Sequence, residues 1–147
     1  MFTMGLLFFV SWRCSIFSKT AQYAFRIVIF MAGDPERLYS AAYIHEKIDI
    51  PYKYLTMLMT KLAKAGLLEV TRGRNGGFSL NRKVEEIFLV DVLNAIDENN
   101  CTNCAYTETE CDELSPCSIH DVYKIPKQAL EDMLNTTSLD NIDSKML

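Results

Sequence analysis

Four of the five cysteines in this chain fall between Cys101 and Cys117, in the text CTNCAYTETECDELSPCSIH. Cysteines gathered in this way hold either disulfides or a metal. The first fifteen residues, MFTMGLLFFVSWRCS, lack the basic start and small-residue cleavage site of a secretory leader, so reduced thiols are expected and a disulfide framework is the lesser reading. Thiolates select zinc or iron–sulfur clusters, and ligand spacing arbitrates between them. Only Cys101 and Cys104 form a CxxC pair, while six residues precede Cys111 and five precede Cys117, unlike the two close pairs of a structural zinc site. The open spacing favours a cluster cradle, against the plainer reading of a loop of non-ligating cysteines that oxidises on isolation. Glu108, Glu110, Asp112, Glu113 and Asp121 disfavour further negative charge beside ligating thiolates, and a bound iron core would offset them.

The elements that must position this segment are legible from charge and periodicity. Hydrophobic residues make up 49% and charged residues 23% of the 147, an ordinary globular composition for about one domain with a small appendage. The net charge of −4 hides an asymmetry: residues 16–85 carry 11 basic and 6 acidic side chains, residues 86–147 carry 3 basic and 13 acidic. The first part has the electrostatic footprint of a nucleic-acid-binding face, and the second should avoid phosphate. The apolar residues 1–15, with Cys14, are too short to span a bilayer and read as an upstream extension or a hydrophobic arm packed on a partner. A cytoplasmic protein with no membrane association is expected.

Ser18 is placed to cap a buried helix from Lys19 to Ala32, ended by Gly33 in a left-handed cap and by Pro35. Ser40 restarts a short helix, Ala41 to Lys47, with Ala41, Ile44 and Ile48 on one side, and Ile50-Pro51 breaks the chain before the next. From Pro51 to Ala65, Leu55, Leu58, Met59 and Leu62 recur at i, i+3, i+4 and i+7. The opposite face holds Lys53, Thr56, Thr60, Lys61 and Lys64 with no Asp or Glu, which suits a phosphate-lined major groove; alone, it could equally be a solvated face. Gly66 closes that helix, Leu67 to Arg72 and Phe78 to Leu80 read as paired strands, and Arg74-Asn75-Gly76-Gly77 supplies residues that accept positive φ between them. Arg72 and Arg74 at the tip could reach phosphates or a narrow minor groove. The fold class is therefore mainly α with a small β-hairpin wing: a winged helix-turn-helix and a C-terminal helix. Ser40, Tyr52, Lys53, Thr56, Met57, Thr60, Lys61, Arg72, Arg74, Asn75 and Gly76 are the candidate DNA-contacting residues. His45 is assigned to DNA or solvent rather than metal.

Four segments, SKTAQYAFRIVIFMA, Ile50 to Leu55, LAKAGLLEVTRGRNGGFSL and VDVLNAID, resemble the Rrf2 family of bacterial winged-helix transcriptional regulators (IscR/NsrR-like), over most of the chain from Phe17 onward. The AGLL-x-x-x-RG-x-x-GGF-x-L wing is the most family-specific piece. The resemblance implies a DNA-binding regulator, a repressor, that responds to an iron–sulfur cluster, thiol redox state, nitric oxide or iron. It implies Cys104, Cys111, Cys117 and His120 as ligands, with Cys101 an alternative first thiolate because the first gap is one residue longer than in IscR-like members. NsrR-like members use an acid from the first helix; the matching position is Gln22, which removes that option. A two-iron rather than four-iron cluster is expected, exposed enough to be lost on purification.

From Asp121 to Leu134 an apolar stripe, Val122, Tyr123, Ile125, Ala129, Leu130, Met133 and Leu134, lies on an acidic helix, with a kink or fresh start expected at Pro126. Family members dimerise through a helix here, implying a homodimer on a near-palindromic double-stranded site; local core is the other use of the stripe. The expected organisation is an extension (1–15), a winged-helix domain (16–97), a cysteine-rich sensing loop (98–120), and a dimerisation helix and tail (121–147). Paired carboxylates, a nucleophile with its base, and a phosphate-cradling loop are not recognisable, so neither an enzyme nor a small-molecule substrate is expected. A zinc-stabilised or cofactor-free protein-interaction module, or a small electron carrier, are the competing classes.

Overall fold

The Ser18 side chain accepts a hydrogen bond from the Ala21 N–H at 3.0 Å and so caps α1, Lys19–Ala32. The computed structural model describes residues 16–98, 114 and 116–143. Expectations for residues 1–15 and for Cys101, Cys104 and Cys111 lie outside the described residues. Ala21, Ala24, Ile27, Val28 and Met31 are fully buried along one side of α1, which packs against the next three helices and the second strand of the hairpin. The helix is not buried all round, because Tyr23, Phe25, Ile29 and Phe30 only half cover the core edge. Its end also differs from expectation. Gly33 stays right-handed, at φ −65° and ψ −24°, since the chain tightens into turns through Asp34 rather than reversing.

Ser40 caps α2, Ala41–Ile48, by accepting from the Tyr43 N–H at 3.1 Å. The left-handed residue lies here, at Asp49 (φ 48°), and turns the chain into α3, Tyr52–Lys64, with Pro51 as its first cap. α3 ends in a Schellman closure: Leu67 N–H donates to Leu62 O and Gly66 N–H to Ala63 O, both at 3.0 Å, with Gly66 at φ +77°. Leu55, Leu58, Met59 and Leu62 are fully buried against α1 and α2, so the predicted stripe is the packed one.

β1, Leu68–Thr71, pairs antiparallel with β2, Gly77–Leu80, in register Leu68 with Leu80 and Thr71 with Gly77. The turn between them corrects the sequence reading. Positive φ falls on Gly73 (+120°) and on none of Arg74 to Gly77. Gly76 and Gly77 are small for another reason: a Cβ at Gly77 would sit 2.6 Å from Tyr39 O, and one at Gly76 2.2 Å from Thr71 O. That close approach lets Tyr39 and Phe78 exchange two backbone hydrogen bonds of 2.8 Å, which fasten the wing to the segment before α2. Tyr39 is buried, and desolvation with the Asp34 charge nearby holds its phenol above the usual value.

A 3₁₀ turn at Val84–Glu86 leads to α4, Leu89–Ala95, where the Asp91 carboxylate accepts from the Phe88 N–H at 3.0 Å. α5, His120–Thr136, runs as one helix through Pro126, so no fresh start occurs there. The carbonyl that Pro126 leaves without an intrahelical donor lies on a side of α5 where Val122, Ile125 and Pro126 itself are exposed, so water can satisfy it. The expected stripe splits in two. Leu130 and Leu134 turn inward, with Leu134 buried, and Tyr123 is half-buried, whereas Val122, Ile125, Ala129 and Met133 face out. Past α5 the chain returns to the core: Leu139 N–H donates to Ile87 O at 2.9 Å, Leu89 N–H to Thr137 O at 3.0 Å, and Leu139 is buried. Among the described residues, no helix is long and apolar enough to cross a membrane.

Candidate nucleic-acid interface

The buried side of α3 fixes what its other side presents. With Leu55, Leu58, Met59 and Leu62 locked inward, Tyr52, Lys53, Met57, Thr60 and Lys64 are exposed and Thr56 and Lys61 half-buried at the margin. Thr56 Oγ1 donates to Lys53 O at 2.9 Å and Thr60 Oγ1 to Thr56 O at 2.8 Å. Each hydroxyl proton is thus taken by the helix backbone, leaving the oxygen as an acceptor and the methyl as an apolar contact. α3 contains no acid. Lys61 Nζ lies 3.7 Å from Asp97 Oδ2, at the end of α4.

Ser40 is exposed, and its oxygen is the cap of α2, so its proton remains available to a phosphate. Arg72, Arg74 and Asn75 are exposed at the wing tip, and Gly76 is half-buried by the close turn described above. The structure thus brings Tyr52, Lys53, Thr56, Met57, Thr60 and Lys61 together on one helix and puts Ser40 and the wing residues on separate elements that pack against the same α1. His45 has a structural partner that the sequence did not disclose. Its Nδ1 hydrogen-bonds Ile50 O at 2.7 Å and its ring meets Tyr52 edge-on at 5.8 Å, so it braces the turn between α2 and α3.

Two features escaped the sequence reading. Arg37 lies over the rings of Tyr43 and Tyr39, at 4.3 and 5.2 Å, a basic side chain held on an aromatic platform beside α2. Pro51, Lys53, Tyr54 and Met57 line an open cleft of about 390 Å³ at the start of α3. The signal for the second was present, since Tyr52, Tyr54 and Met57 are apolar positions of α3 outside its packed stripe.

Of the sulfur and nitrogen candidates, Cys117 and His120 are described. His120 N–H donates to Cys117 O at 3.0 Å, a turn that brings the two residues together at the entrance to α5. One thiol and one imidazole on a single turn, near a helix N-terminus that favours anionic ligands, fit half of a soft-donor set suited to iron and sulfide. Three or more metal-ligating side chains do not converge among the described residues. Gln22 Nε2 donates to Phe17 O at 3.0 Å, an arrangement that ties the start of α1.

Three helices, an antiparallel hairpin and an acid-free exposed face on the third helix define a winged-helix DNA-binding protein. The chain belongs to the Rrf2 family: the family model, described as an iron-dependent transcriptional regulator, matches residues 17–144. It is 32% identical over 100 residues to the HTH-type transcriptional regulator IscR of Pectobacterium atrosepticum, covering 67% of this chain and 60% of that protein. It is 32% identical over 97 residues to the regulator NsrR of Shouchella clausii, covering 65% of each. The fold is similar to that of CymR, the global cysteine regulator of B. subtilis, with a TM-score of 0.71, 21% identity, and coverage of 85% of this chain and 93% of that one. The family and these homologues are transcriptional regulators rather than enzymes.

Proposed function

We propose that this regulator is a cytoplasmic homodimeric repressor that reads a near-palindromic site through α3 and tunes its DNA affinity through the cysteine segment. The observation that carries the reading is the exposed, acid-free face of α3 next to an arginine-tipped wing. Lys53, Thr56, Thr60 and Tyr52 meet base edges, while Ser40, Lys61, Arg72, Arg74 and Asn75 meet phosphates, with Gly76 letting the wing backbone approach closely. Val122, Ile125, Ala129 and Met133 on α5 form the contact between the two copies. Residues 16–97 then constitute the reading head, 98–120 the sensing segment, and 121–147 the pairing helix and tail.

Cys104, Cys111, Cys117 and His120 hold an iron–sulfur cluster in this reading, with Cys101 able to replace Cys104. When bound, such a cluster supplies a redox- and nitric-oxide-reactive centre. The chain's own connections explain how ligation there is felt elsewhere. The sensing segment leaves α4 through Asp97, the partner of Lys61 on α3, and Glu98, which accepts from Ser18 Oγ at the cap of α1. It enters α5 through the Cys117–His120 turn. A change in ligation therefore acts on both ends at once, on the reading helix and on the pairing helix, and shifts the population of binding-competent dimers.

Oxygen-free purification with absorbance and iron-to-sulfide analysis, followed by DNA selection with and without the cofactor, tests the proposal. Stoichiometric iron and sulfide with a selected palindrome whose affinity depends on them is the expected result. Zinc without iron or sulfide, or no enriched sequence, would refute it.

A further inference from the structure

The cleft at the start of α3 is unlike the rest of the helix's outer face, which is cationic or hydroxylic. Lys53, Tyr54 and Met57 stand at i, i+1 and i+4, so the lysine stem and the tyrosine ring flank Met57 on one side of the helix, and Pro51 closes the end. Met57 is 42% exposed, while its neighbours Leu55, Leu58 and Met59 are fully buried, so its position is not a remainder of the core. The wall is rigid. Tyr54 Oη shares a hydrogen bond of 2.6 Å with Thr20 Oγ1 and its ring packs edge-on against Tyr23 at 5.7 Å, both on α1.

The geometry points to this cleft as an apolar socket for the C5-methyl group of a thymine in the major groove, with Met57 as the specificity-determining residue. The inference rests on α3 being the reading helix and names one base it reads. The occupant follows from the surroundings: the cleft lies in the first turns of the helix, the part that meets base edges in helix-turn-helix proteins. α3 adds Lys53, Lys61 and Lys64 with no acid, a setting that draws in a polyanion. Within a major groove, the apolar group displayed at a base edge is the thymine methyl. Met, unbranched and polarisable, can close over it without demanding one shape.

The test uses the full-length protein on its selected operator, with each thymine replaced singly by deoxyuridine, which removes the methyl and keeps every hydrogen-bonding atom. One thymine per half-site should lose about fourfold in affinity, the value of one buried methyl. Met57→Ala should bind the parent operator about as weakly as that and be indifferent to the replacement, whereas Met57→Leu should keep the sensitivity. An unchanged melting temperature for both variants is expected, because Met57 is exposed. Tolerance of deoxyuridine at every position, or an undiminished loss in Met57→Ala, overturns the socket. Failure of the parent reading looks different: Lys53→Ala would then leave the selected sequence unchanged. A wrong socket on a correct reading helix leaves Lys53→Ala altering that sequence while deoxyuridine is harmless.

Discussion

α3 and α5 are both amphipathic, yet they leave opposite faces uncovered. In α3 the four apolar residues of the stripe are all fully buried, and what remains outside is basic and hydroxylic apart from Met57. α5 is longer, 17 residues against 13, but buries only Leu134, and leaves Val122 80% and Ile125 77% exposed. The uncovered face indicates the chemistry of the partner each helix suits. A helix whose apolar side is satisfied within the chain has charge to offer a polyanion, whereas one whose apolar side is open gains most from a second apolar surface.

The contrast breaks most sharply on stability. Leu58→Ala removes a fully buried side chain of α3 and should cost about 2–5 kcal/mol in urea unfolding. Ile125→Ala should cost dilute protein no more than about 0.5 kcal/mol in the same measurement. Comparable losses would mean that α5 is core and the comparison is wrong. The next largest effect is on assembly. Val122→Glu with Ile125→Glu should convert a dimer to monomers in sedimentation and weaken binding to paired half-sites by about tenfold or more, while single half-sites are bound as before. On DNA itself the two sides of the reading head should separate. Arg72→Ala should weaken binding to all sequences and reduce the slope of log affinity against log salt by about 1, and Lys53→Ala should relax sequence preference. Equal effects of Lys53→Ala on selected and random DNA would remove α3 from base reading.

Periodicity made α3 legible, with one apolar stripe closed by Gly66, while α1 was legible only as an apolar run capped by Ser18, with its single buried side unforeseen, and the hairpin by its Gly-rich turn. What was not legible came from tertiary contacts that leave no local mark. Nothing near Gly77 announces Tyr39, yet that backbone contact decides why glycine is there, and the positive φ expected of the turn sits on Gly73 instead. The stripe on α5 was visible, but its division between Leu134 inward and Ile125 outward depends on how α5 meets α4. At the interface, residue types identified the α3 face, while the aromatic brace of His45 and the cleft at Met57 needed coordinates, since both depend on where rings from α1 and α2 come to rest.

The smallest expected effect concerns Lys61 of α3, whose Nζ lies 3.7 Å from an Asp97 carboxylate oxygen. Asp97 is 89% exposed, so the pair adds little to stability, in the range found for surface ion pairs. Its consequence is for DNA, because a lysine held by a carboxylate is a poorer phosphate ligand. Asp97→Asn keeps a residue at home in the left-handed conformation that position 97 adopts (φ 61°) and removes the charge. Affinity for all sequences should rise about two- to threefold, with a salt slope steeper by up to about 1, and sequence preference should not change. A general gain from deleting any acid near DNA would persist in a Lys61→Ala background, whereas release of Lys61 would not. Loss of the gain in the double variant therefore assigns Lys61 to phosphate, and its persistence removes Lys61 from the contact set and narrows the basic face of α3 to Lys53 and Lys64.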